Sequence, residues 1–251
     1  MNNPFEAHGI AHLSPSSCNL FAASPAMFVM QKCLKRTTAV GAAAHRGTSV
    51  EAGIAYGLEN LSAPLPKCVD VAMDRFRGLT ALSGDPRVEK ERSAIPDMVR
   101  IGLEELRPYG TPSSAQGEVR YEIEGLAVPM LGFYDFEWEQ HGVLTDLKTT
   151  HALPSKISTA HARQVALYKA AQGDNIAARV TYVTPKKCAT YALENARDHI
   201  AALGRIGLTI QRFLSISEDP MELASLVVPD TESFYLNDPI TRQAAFEIFG
   251  I

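Results

Sequence analysis

GFYDFEWEQHGVLTDLKTT, residues Gly132 to Thr150, lies within two alternating runs, Leu131–Glu139 and Gly142–Thr149, parted by a polar break at Gln140, His141 and Gly142. Alternation of this kind around a short polar break predicts a β-hairpin. Side chains on a strand point to opposite faces with period two, so Leu144, Asp146 and Lys148 share one face. Asp135, on the neighbouring strand, can lie close to them. Buried charges are costly unless they pair or hold a metal. One strand pair therefore offers two carboxylates and a lysine at a single spot, which suits chemistry better than packing.

Working outward, the chain has 251 residues, 46% hydrophobic and 21% charged, enough for one substantial core. No apolar run approaches the ~20 residues of a membrane helix, and the start, MNNPFEAHGIAHL, lacks the basic and apolar blocks of a secretory signal. The four scattered cysteines contain no CxxC pair, so neither zinc nor a disulfide framework is expected, and a reducing, cytoplasmic compartment is. A formal net charge of −4 argues against wholesale coating of nucleic acid but leaves room for a local basic groove.

Helices are expected from Ser14 to Lys35 with a break at Ser24-Pro25, over Gly41–Leu58, Val69–Leu82 and Pro86–Leu106. Tyr109–Ala115 reads as a loop and Glu118–Glu124 as a first strand before the hairpin. A helix over Ser155–Gln172 follows and carries His161, Gln164 and Tyr168 along one side. Strands at Ala177–Val183 and Cys188–Leu193 and a long helix from Glu194 to about Ser217 complete the pattern. On the Ala-rich second helix, Thr48, Glu51, Ala55 and Leu58 share a face. His8 and His12, at i, i+4 spacing, read as surface residues. The order of elements implies an α/β fold built on a small mixed sheet.

Gly132-x-x-Asp135, Asp146-Leu147-Lys148 and Gln164-x-x-x-Tyr168, in that order, resemble the PD-(D/E)xK nuclease superfamily in its RecB/Cas4-like exonuclease branch. Arg46-Gly47-Thr48-x-x-Glu51 is similar to that branch's RGT-x-x-H motif, with glutamate in place of histidine, as in lambda-type phage exonucleases. Ser14–Lys32 resembles the family's opening helix, so the likeness spans about residues 14 to 193. A lone DxK is a weak signal; the ordered set on helix, strand, strand and helix is a specific one.

The resemblance implies a restriction-endonuclease-like α/β core with extra N- and C-terminal helices, in a single domain over residues 1–251. Its parts are a helical segment at about 14–107, a catalytic sheet and helix at 116–193, and C-terminal helices at 194–251. It implies a metal-dependent DNA exonuclease using one or two Mg²⁺ or Mn²⁺ ions, which as hard cations prefer oxygen ligands. Glu51, Asp135 and Asp146 would supply carboxylate oxygens and Leu147 a carbonyl, while Lys148 would orient the attacking water and offset charge at phosphorus. Arg46, Arg163, Gln164 and Tyr168 would contact nucleic acid, with Lys156, Lys186 and Lys187 as weaker candidates. Phe133, Tyr134, Phe136 and Trp138 read as sheet packing. The implied setting is recombination, repair or replication in a bacterial or phage-infected cell, with DNA as substrate, a single-strand annealing or replication protein as partner, and a homo-oligomer allowed.

Two features depart from the family pattern. Cas4-type members place three cysteines near the end for an iron–sulfur cluster, whereas this chain has only Cys188 in its latter half, so no cluster is expected. No Walker A pattern is present, so no helicase is expected in this chain. Two alternatives stay open: an endonuclease of the same superfamily, and a non-catalytic nucleic-acid-binding scaffold.

Overall fold

A computed structural model describes residues 3–36, 38, 40–173 and 175–250. In chain order, the helices are α1 (Pro4–Ala7), α2 (Pro15–Ala23), α3 (Pro25–Phe28), α4 (Ala42–Glu59), α5 (Leu65–Thr80), α6 (Val88–Leu106), α7 (Thr159–Gln172), α8 (Ala196–Leu214), α9 (Pro220–Ser225) and α10 (Pro239–Phe249). The strands are β1 (Ser114–Tyr121), β2 (Met130–Trp138), β3 (Val143–Thr149), β4 (Ala177–Val183) and β5 (Cys188–Ala192). They form one five-stranded sheet in the order β1-β2-β3-β4-β5. The β2–β3 and β4–β5 pairs are antiparallel and β3–β4 is parallel. Parallel neighbours need a long crossover, and α7 supplies it. The fold is thus the α/β arrangement with a small mixed sheet that the sequence implies.

The chain packs as two compact units, each drawn from separate segments: residues 1–39, 119–132 and 195–251 in one, residues 40–118 and 133–194 in the other. In the first unit, Ser14 caps α2 through a reciprocal pair with Ser17, and Ser24 ends α2 and caps α3. A π-helical turn at Val29–Cys33 follows. His8, expected at the surface, is instead buried, with Nε2 3.0 Å from the Ser217 carbonyl.

The second unit holds the hairpin. Phe136, Trp138, Val143, Leu147 and Val183 turn one sheet face into an apolar core with Val50, Ile54 and Leu58 of α4, Phe76 of α5, and Ile95 and Met98 of α6. Helix α4 has no capping side chain of its own; the Asp85 carboxylate accepts from the Ala42 amide at 2.9 Å. A Cβ on Gly53 would stand 2.7 Å from the Cys68 carbonyl oxygen and 2.8 Å from Ala72 Cβ, so only glycine lets α4 and α5 approach so closely. This packing fixes the helix that carries Glu51.

Boundaries moved at three elements for physical reasons. Helix α5 begins at Leu65, ahead of the expected Val69, because Pro66 falls in its first turn, where the missing N–H costs nothing. Helix α7 begins at Thr159 rather than Ser155, where the Ser158 hydroxyl caps the His161 amide. Strand β1 runs over Ser114–Tyr121 instead of Glu118–Glu124. Among the described residues, no helix is long and apolar enough to cross a membrane.

Candidate active site

The β2–β3 ladder runs from Trp138↔Val143 to Phe136↔Thr145. Just beyond it, the Leu147 amide donates to Asp135 Oδ2 at 2.6 Å, so a side-chain carboxylate serves as acceptor for a strand N–H. That bond fixes Asp135 beside the next β3 residues. Asp146 is 1% exposed, and its two oxygens face different partners. Oδ2 lies 2.7 Å from Lys148 Nζ, while Oδ1 accepts from Gln164 Nε2 at 3.1 Å. Gln164 also stands 2.6 Å from the hydroxyl of Tyr168, one helical turn further along α7. The strand alternation therefore does place Asp146 and Lys148 together, on the face that meets α7.

Glu51 reaches the same place from α4. Its Oε1 accepts from Gln116 Nε2 of β1, and the same nitrogen lies 3.4 Å from Asp135 Oδ1. Gln116, whose main chain is left-handed at φ +55°, lies outside every motif read from the sequence. Its neighbour Gly117 explains how β1 comes so close: a Cβ there would stand 2.1 Å from the Tyr134 ring. That ring is held in turn by hydrogen bonds from its hydroxyl to Glu137 (2.6 Å) and from Gln172 (3.4 Å).

The three carboxylates share one electrostatic condition. Burial, then the charges of Asp146 and Glu51, push Asp135 well above the ordinary carboxylate range, against the pull of Lys148 and the Leu147 amide. Burial raises Asp146, with Lys148 opposing. Burial also raises Glu51, with Lys148 opposing and Asp146 adding to the rise. For Lys148 burial works downward, but the combined attraction of Asp146, Asp135 and Glu51 outweighs it and keeps the ammonium charged. Burial raises Tyr168 far above its usual value, so its hydroxyl keeps its proton. His161 is pushed down to about 4 by burial and then by the Lys148 charge, and is neutral near pH 7. Its Nδ1 lies 2.7 Å from the Tyr182 hydroxyl.

Such a cluster invites positive charge: three carboxylates, with one lysine, cannot all ionise cheaply in a buried place. An all-oxygen, carboxylate-rich donor set suits a hard divalent cation. Among the described residues no three His, Cys, Asp or Glu side chains already close round one point. The N–H groups of Gln116 and Lys148 lie instead against the carboxylate oxygens that would face an ion. The residues fit a divalent cation in charge and donor type.

Arg46 sits elsewhere than a phosphate contact would. Its side chain is 5% exposed, paired with Glu91 of α6, 2.9 Å from His151 Nε2 and 3.2 Å from the Thr149 carbonyl. It ties α4 and α6 to the end of β3, next to Lys148. Glu91 and His151 were not legible as its partners, being 45 and 105 residues away with no local pattern. Arg163 is half-buried on α7, and Lys156, Lys186 and Lys187 are exposed. Of the four β2 aromatics read as packing, Tyr134, Phe136 and Trp138 are buried, but Phe133 is 53% exposed.

Against known proteins, residues 12–236 match the family model of the PD-(D/E)XK nuclease superfamily. A solved structure from Eubacterium rectale, described as a "Putative exonuclease", superposes with a TM-score of 0.57 at 14% identity, covering 90% of this chain and 87% of that one. The structure of SSO0001 matches over 66% of this chain and 85% of its own at 15% identity, with a TM-score of 0.35. No curated protein matches the chain.

Proposed function

The chain belongs to the PD-(D/E)XK nuclease superfamily, whose members hydrolyse phosphodiester bonds generally with divalent metal ions, and we propose that it is a Mg²⁺- or Mn²⁺-dependent DNA exonuclease. The observation that carries this is the convergence of Asp135, Asp146 and Lys148 on one sheet face, with Glu51 joined to Asp135 through Gln116. The choice of exonuclease rests on the resemblance of Arg46-Gly47-Thr48-x-x-Glu51, Asp146-Leu147-Lys148 and Gln164-x-x-x-Tyr168 to that branch.

In this reading Glu51, Asp135, Asp146 and the Leu147 carbonyl would hold the ion. A bound cation would polarise the phosphate and lower the pKa of the attacking water. Lys148, kept charged by its carboxylate neighbours, orients that water and meets the negative charge that builds on the phosphorus oxygens. Gln164 holds Asp146 in place through Oδ1 and is itself held by Tyr168. Nucleic-acid contacts fall to Arg163 and Gln164, with the exposed Lys156, Lys186 and Lys187 able to meet phosphates, while Tyr168, expected among them, is 1% exposed and holds Gln164 from within. Arg46 supports the site from behind by anchoring Thr149. With a net charge of −4, phosphate contacts fall to a few local basic side chains, so tight non-specific binding at physiological salt is not expected. DNA ends arising in recombination, repair or replication, in a phage-type setting with an annealing or replication partner, complete the proposal.

The test compares end-labelled linear DNA with covalently closed circular DNA, each with Mg²⁺, Mn²⁺ or EDTA. Metal-dependent loss of the linear substrate alone supports the proposal. Cutting of the circle assigns the same site to an endonuclease instead.

A further inference from the structure

Gln116 is the residue at this site that no motif of the family supplies. Three independent features mark it. A side chain other than glycine, Asn or Asp in the left-handed region costs on the order of 1–3 kcal/mol and persists where surroundings impose it, most often at functional sites. Here the surroundings are visible: Gly117 lets the Tyr134 ring press against β1, and Tyr134 is fixed by Glu137 and Gln172. The left-handed backbone within β1 directs one amide at two carboxylates, Glu51 and Asp135. Finally, Gln116 is solvent-exposed while Asp135 is 8% exposed and Glu51 half-buried, so the amide stands at the open side of the two carboxylates.

We propose that Gln116 is a further oxygen ligand for the divalent cation, its amide turning about the last side-chain torsion so that Oε1 replaces Nε2 between Glu51 and Asp135. The inference rests on the proposed metal-dependent activity of this site. Its physical basis is the two-faced chemistry of a primary amide, which carries two N–H donors on one atom and a carbonyl acceptor on the other. Facing two anionic carboxylates, the NH₂ end is favoured. Facing a cation held by those carboxylates, the NH₂ end is repelled and the carbonyl end is attracted. The terminal torsion of Gln is broad and roughly two-fold, so exchanging the ends needs no movement of β1. Carbonyl oxygens of Asn and Gln are ordinary ligands for hard divalent ions. Gln116 thereby keeps two like charges together before the ion arrives and adds a neutral oxygen afterwards.

Mn²⁺ binding to the full chain, measured by titration calorimetry, tests this without reference to turnover. The proteins are wild type, Gln116→Ala, Gln116→Asn and Gln116→Glu, with Asp146→Asn as a loss-of-ligand control. Asparagine tolerates the left-handed backbone but falls one methylene short, so it separates reach from backbone strain. Expected are a loss in affinity of about tenfold or more for Gln116→Ala and Gln116→Asn, and affinity equal to or tighter than wild type for Gln116→Glu. The inference is overturned if Gln116→Ala and Gln116→Asn bind as tightly as wild type or more tightly, which is the behaviour of a spacer the ion displaces, or if Gln116→Glu binds more weakly. If Asp146→Asn loses affinity while the Gln116 variants do not, only the role of Gln116 fails. If wild type binds no Mn²⁺, the metal-dependent reading fails with it.

Discussion

Arg46→Ala separates a buried anchor from a phosphate contact. The Arg46 and Glu91 side chains are 5% and 4% exposed, so removing the guanidinium leaves a buried carboxylate that, among the described residues, keeps His151, itself 41% exposed, as its hydrogen-bond partner. Breaking a buried ion pair from one side costs about 3–5 kcal/mol. The Thr149 carbonyl and hydroxyl also lose donors at 3.2 and 3.3 Å, but water entering the vacated space recovers part of that loss. A total of about 4 kcal/mol is expected, and at about 2–4 °C per kcal/mol for a chain near this size the melting temperature falls by about 8–16 °C. Replacing both partners, Arg46→Met with Glu91→Leu, should recover most of it, because two apolar side chains leave no buried charge. Calorimetric melting of the three proteins in EDTA is the assay. A loss under 1 kcal/mol for Arg46→Ala, or no recovery in the double variant, would refute the reasoning and return Arg46 to the solvent side.

Three further outcomes follow from the same geometry. Because burial and mutual repulsion raise the folded-state values of Asp135, Asp146 and Glu51, their contribution to metal-free stability is fully present below the unfolded carboxyl value near ~4 and is lost as pH rises through the raised folded values. Asp135→Asn should therefore raise the metal-free melting temperature at pH 7, by a relief on the order of 2 kcal/mol, and flatten the pH dependence; a lower melting temperature at pH 7 would contradict this. Gly117→Ala puts a methyl 2.1–2.6 Å from a ring that Glu137 and Gln172 hold still, so denaturant melts should show a loss of about 1–3 kcal/mol, and a neutral result would mean that β1 moves freely. Tyr168→Phe removes one partner of Gln164 and should lower kcat/KM about fivefold, as one hydrogen bond of about 1 kcal/mol, with little change in melting temperature; unchanged kcat/KM would remove Tyr168 from the support of Asp146.

The parts of this structure that sequence makes legible are those governed by local period. Alternation over Leu131–Glu139 and Gly142–Thr149 placed the hairpin and put Asp146 and Lys148 on one face, because strand pleating leaves no other arrangement. Spacing of four put Gln164 and Tyr168 on one side of α7. Strand β1 was read four residues late because its start, Ser114-Ala115-Gln116-Gly117, has no β-branched or aromatic residue; proximity to Tyr134, not propensity, makes it a strand. Gln116 itself was hidden for the same reason. The Arg46–Glu91–His151 contact joins residues far apart in the chain, and no local pattern announces which arginine will be buried. Burial of His8 depends likewise on Ser217, 209 residues on.

The most direct measurement is digestion of linear DNA by wild type, Asp146→Ala and Lys148→Ala, each with Mg²⁺ or Mn²⁺ and with EDTA, alongside circular dichroism of every protein. A metal-dependent nuclease centre at this spot predicts cleavage by wild type only with metal, a loss of at least about 10²-fold in each variant, and unchanged spectra. Cleavage that persists in EDTA, or variants that cut within a few-fold of wild type, would contradict it.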